Sequence, residues 1–128
     1  MLALVASCRK EGSVSTLDLD VGIEHLAARE PVAHDLGTPV LDLGDPEFER
    51  IVAQGASAVP TLARKLQGSS AREAAWIVAA LGDIGGPEAA SALKEACARW
   101  QTYAPVDEWV HAVRGQCNIA QAKLKSRP

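Results

Sequence analysis

The sequence predicts an all-α fold, a short stack of antiparallel helix pairs, and three observations carry that prediction. Alanine supplies 23 of the 128 residues while aromatic residues make up only 4%, which suits close helix packing and denies a β-sandwich the side chains it needs. Helix start and stop signals are dense from residue 45 onward. The residues between those signals recur with a period near thirty, which marks a solenoid of stacked two-helix units. One domain is expected at this length. With 23% charged residues and a formal net charge of -3, neither a disordered tail nor an electrostatic nucleic-acid binder fits.

The N-terminal part is the least regular. Val21 to Glu30 reads as a short helix stopped by Pro31, and Thr38 to Leu43 alternates like an extended segment. Asp45-Pro46-Glu47 then offers an N-cap, a proline in the first turn and an acid at the positive helix end, for a helix running to about Gln54. Ser57 is expected to cap a second helix ending near Gln67-Gly68, with Pro60 at its third position, where the missing N–H has no intrahelical acceptor. Ser70 to Glu73 forms a capping box for a third helix, whose positions Ala74, Ala75, Val78 and Leu81 make one buried face and which Gly82 and Gly85 stop. Gly86-Pro87-Glu88 opens a fourth, with Ala89, Leu93, Ala96, Cys97 and Trp100 along its face. A fifth starts within Ala104 to Glu108 and ends in Lys123, Lys125 and Arg127, cations suited to its negative end.

The repeat aligns Gly55, Ala58, Leu62 and Leu66 with Gly86, Ala89, Leu93 and Cys97, 31 residues on, and Trp76 to Ala80 with Trp109 to Val113. Ala71 to Leu93, AREAAWIVAALGDIGGPEAASAL, and Gln54 to Leu62, QGASAVPTL, resemble HEAT repeats, specifically the short HEAT-like class named for phycobilisome lyases. The resemblance covers about residues 45–125. It implies a curved armadillo-type superhelix that binds another protein along one face, and it implies no catalytic residue, because its motif residues pack and turn.

Direct search for chemistry agrees with that expectation. His25, His34 and His111 lack metal-ligand spacing, no nucleophile elbow occurs, and the glycines at 82, 85 and 86 are not a phosphate loop. No catalytic, cofactor-binding or metal-binding residue is expected. Trp100, Tyr103 and Trp109 bracket the turn between the fourth and fifth helices, Trp76 sits one repeat earlier than Trp109, and all four are candidate interface anchors, the alternative being that they fill gaps an alanine core leaves.

The three cysteines divide into one and two. Val5-Ala6-Ser7-Cys8 resembles the lipobox of bacterial lipoproteins, which implies lipid on Cys8; Arg9 to Thr16 then reads as a polar tether, so that residues 1–16 form a signal remnant and tether and 17–44 an irregular segment before the repeats. In an oxidising compartment Cys97 and Cys117 would pair. If the fifth helix is unbroken, however, Cys117 lies about 9 Å past the point opposite Cys97, so pairing and a helix break at Gly115 are expected together or not at all. The expected function is a non-enzymatic protein-interaction scaffold, tethered to the cell envelope by lipid. The alternative is a cytoplasmic accessory subunit assisting an enzyme, for which a chromophore lyase is the precedent the resemblance supplies.

Overall fold

The computed structural model describes residues 16–126, and most of them are helical. The elements are α1 (Thr16–Ala28), β1 (Ala33–Asp35), β2 (Thr38–Val40), α2 (Pro46–Ala53), a 3-10 turn (Gly55–Ala58), α3 (Val59–Gln67), α4 (Ala71–Ile84), α5 (Pro87–Gln101) and α6 (Glu108–Lys125). The all-α class therefore holds, with one addition: β1 and β2 pair antiparallel as a small hairpin, Ala33 opposite Val40 and Asp35 opposite Thr38. The lipobox and most of the tether, including Cys8, lie outside the described residues.

Local chemistry explains where the helices begin. The Asp45 carboxylate accepts from the Glu47 N–H at 2.8 Å, and Pro46 follows it in the first turn. Both halves of the capping box form at α4: the Ser70 hydroxyl accepts from the Glu73 N–H and the Glu73 carboxylate from the Ser70 N–H. Asp107 caps α6 by accepting from the Val110 N–H at 2.9 Å. At Gly85 and Gly86, φ of 74° and 95° lets the chain leave α4 and enter α5 within two residues.

Four expectations need correction. α1 starts at Thr16, earlier than Val21, because Leu19, Ile23 and Leu26 form a buried helical stripe. Ser57 does not cap α3; its hydroxyl donates to the Gln54 carbonyl at 2.9 Å, the 3-10 turn takes the chain around, and Pro60 sits in the first turn of a helix that starts at Val59. Gly82 does not stop α4. Instead, α4 is buried on every side from Ala74 to Gly82, since α1, α2, α3, α5 and α6 all pack against it, and one apolar face would not have sufficed.

The packing centres on α4: α2 and α3 lie beside it, α3 also meets α5, and α4 packs most extensively against α6. α1 lies across α2, α3 and α4, and the hairpin reaches α6. Arg72 fastens this N-terminal cover. Its guanidinium donates to the carbonyls of Ala27 (2.7 Å) and Arg29 (3.0 Å), satisfying the C-terminal end of α1. A second tie joins Arg29 to Asp45 and Glu47 at the start of α2. The hydrogen bond from Arg29 holds the Asp45 carboxyl below the usual carboxylate range against a desolvation that opposes it.

Candidate functional site

A broad groove lies between the hairpin and α6. Asp35-Leu36-Gly37-Thr38 turns with φ of 54° at Leu36 and 87° at Gly37, the pattern of a type I′ turn, which favours asparagine or glycine where leucine stands. Leu36 is the one non-glycine residue with positive φ among the described residues, and its side chain is fully exposed, at 101%. A left-handed leucine costs roughly 1–2 kcal/mol, and here no burial offsets it. Between the turn, β2 and one face of α6 lies a groove of about 600 Å³. Leu41 and Ala112 are buried in its lining, Val40 and Ile119 are partly exposed on its two sides, and Gly115 opens it further. Its charged or titratable lining consists of Asp35 and His111, with no lysine or arginine. At the neighbouring end of α6, His34 Nε2 stands 3.9 Å from Glu108 Oε1, both half exposed.

The aromatic candidates lie elsewhere. Trp76, Trp100 and Trp109 are buried, which corrects the expectation that they present an interface on this chain. Trp76 packs against Phe48 with ring centroids 5.7 Å apart. Trp109 lies under the Arg72 guanidinium, 4.5 Å from its centroid. Trp100 carries Tyr103 at 4.6 Å, and only Tyr103 of the four is exposed, at 44%. These rings fill volume that alanine cannot.

Cys97 and Cys117 are disulfide-bonded, with Cα atoms 5.9 Å apart, and α6 is unbroken through Gly115. Pairing and helix break are thus not coupled. The expected mismatch assumed that α6 starts level with the end of α5. In fact Arg114 lies there, donating to the carbonyls of Trp100 (2.9 Å) and Tyr103 (3.2 Å). Three residues further along α6, and three back along α5, come the two cysteines; the first turns of α6 overhang.

His25 stands 3.8 Å from Glu47 within the α1–α2 ion pairs, whereas His34 and His111 both lie on the side where the hairpin meets α6. Among the described residues, no three metal-ligating side chains converge, and no helix is long and apolar enough to cross a membrane. A smaller cleft of about 200 Å³ between α3 and α5 is lined by Glu88, Glu95 and Arg99 among others, but Arg99 is committed to the Leu66 carbonyl at 3.1 Å. The groove itself was missed in the sequence. Gly37 is the residue type a turn favours, but no residue pattern announces that Leu36 is left-handed and uncovered. The chain matches no family model, no curated protein and no solved structure.

Proposed function

We propose that this chain is a non-enzymatic protein-interaction scaffold, a short solenoid of HEAT-like helix pairs held at the cell envelope by lipid on Cys8. The observation that carries the interaction reading is the apolar groove between the hairpin and α6, bordered by a leucine that the isolated chain leaves strained and uncovered. What supports the solenoid is the repeated contact between alternate helices: α2 meets α4, α3 meets α5 and α4 meets α6. The buried Cys97–Cys117 disulfide supports an oxidising compartment, where such bonds persist, and so favours the envelope over the cytoplasmic accessory role.

Two experiments test the reading. A photo-crosslinking residue at Ile119 in cells should capture a discrete partner, and the same residue at Ser91 on α5 should not; absence of any adduct at Ile119 would sink the scaffold. Labelling with palmitate should tag the chain and fail for Cys8→Ala, and an unlabelled chain with free thiols in the cytoplasm would overturn the envelope address.

A further inference from the structure

We infer that the groove between the hairpin and α6 takes a basic amphipathic helix of a partner protein, an inference that rests on the scaffold reading and names the chemistry of what docks. Charge makes the first distinction. Between Asp18 and Arg50 stand nine carboxylates against two arginines, whereas from Arg64 to Lys125 six carboxylates face eight lysines and arginines. The hairpin belongs to the acidic part. Asp35 lines the groove, Asp42 is exposed between the lining residues Leu41 and Leu43, and Glu108 stands near the hairpin's His34. No fixed positive charge enters the lining, and Lys123, in the adjoining cleft that shares Leu43, Gln116 and Ile119, is paired with Asp83. Lysines or arginines on the occupant are attracted to this rim, while an anionic membrane surface is repelled. A second copy presented groove to groove would set like charges against one another.

Backbone chemistry makes the second distinction. In a two-residue hairpin the Asp35–Thr38 pair exchanges the ladder bonds, which turns the His34–Pro39 pair outward. Pro39 has no N–H, so the free edge of β2 cannot template an added strand. An extended peptide therefore loses its usual anchorage here. A helix needs none, since its backbone is satisfied internally and its apolar stripe fills the groove. The volume of about 600 Å³ accommodates several large side chains.

Two residues of the groove are choices the free chain does not need. Asparagine would suit the left-handed position of Leu36 better. At Gly115, in the middle of α6, an added Cβ would meet nothing within 4 Å, so alanine would fit and strengthen the helix. Both residues are explained by a partner that receives the leucine and approaches α6 closely.

The test titrates the full chain with a helical Leu/Lys amphipathic peptide of about 18 residues, and with its Leu/Glu counterpart. The Leu/Lys peptide should bind, shifting backbone amide resonances of residues 35–43 and 111–119, and should weaken as salt is raised. Leu36→Asn and Gly115→Leu should each weaken it by about tenfold or more while the thermal midpoint holds or rises, and Glu95→Lys in the other cleft should leave binding unchanged. No binding, equal binding of the Leu/Glu peptide, or unaltered binding to Gly115→Leu would overturn the inference. So would self-association abolished by Gly115→Leu, which would assign the groove to a second copy. A cellular partner crosslinked at Ile119 through an acidic segment would also overturn it while leaving the scaffold reading in place.

Discussion

Replacing Gly82 by alanine should force α4 and α6 apart. A Cβ at that position would stand 2.6 Å from Ala120 Cβ and 2.9 Å from Ala120 Cα, whereas carbon atoms rest at about 3.5–4.0 Å. Relief requires the helices to separate by about 1 Å at that level, across the most extensive helix interface in the chain. α6 is not free to swing, because Cys117 is bonded to α5 and Arg114 holds the carbonyls of Trp100 and Tyr103. Overpacking of this kind costs about 1–3 kcal/mol, and alanine's better helix propensity returns about 1 kcal/mol. The net expectation is a loss of up to about 2 kcal/mol, centred on about 1 kcal/mol, or roughly 3–6 °C in thermal midpoint at that centre, read by far-UV circular dichroism with a urea titration beside it. Gly115→Ala, on the helix that Gly82 abuts, should gain about 0.5–1 kcal/mol because its Cβ enters open space. Adding Ala120→Gly to Gly82→Ala should recover only part of the loss, since the new methyl group still presses on the α6 backbone. A Gly82→Ala chain as stable as the wild type would refute the close approach of α4 and α6.

Reduction of the disulfide, or Cys97→Ala with Cys117→Ala, should lower stability by roughly 3 kcal/mol, the loop-closure value for a bridge spanning 20 residues; unchanged urea midpoints with and without reductant would contradict it. Asp45→Ala should cost about 1–2 kcal/mol by uncapping α2. Because the folded Asp45 pKa is depressed, its contribution is full above the unfolded value near 3.9 and is lost as pH falls through the lower folded value, so the variant should show a shallower acid limb in a stability–pH profile. Arg72→Ala should cost roughly 2–3 kcal/mol through two carbonyl bonds and the Trp109 stack. Hydrogen exchange should quicken first in α1, and Arg72→Lys should not restore protection, because one ammonium cannot reproduce the fork.

The helices were readable wherever a short-range signal determines them. Asp45-Pro46, the Ser70–Glu73 box and the face from Ala89 to Trp100 all appear where they were expected, since caps and stripes involve neighbours within one or two turns. What failed depends on other elements. Gly82 looks like a terminator in one dimension and in three is the point where α4 meets Ala120. Cys117 looked out of register because the overhang of α6 is set by Arg114 reaching the end of α5. The tryptophans looked like anchors because their residue type suits interfaces, while the volume they fill in the core is invisible along the chain.

The groove was hidden for a related reason. Its two sides, Asp35 to Leu43 and His111 to Ile119, are far apart in sequence, so neither announces the groove alone. The hairpin departs from local preference at Leu36, where a left-handed backbone carries a branched apolar side chain. Local preference and global fold agree through most of this chain, which is what makes a disagreement informative. A buried leucine in that conformation could be explained by the core it fills. An exposed one repays its backbone cost only when something outside the chain covers it, and the same reasoning applies to Gly115 across the groove. Leu36→Asn and Gly115→Ala therefore form a matched pair: each should stabilise the free chain, and each should weaken whatever occupies the groove. If both stabilise and neither affects capture at Ile119, the two residues are incidental and the groove is not the site.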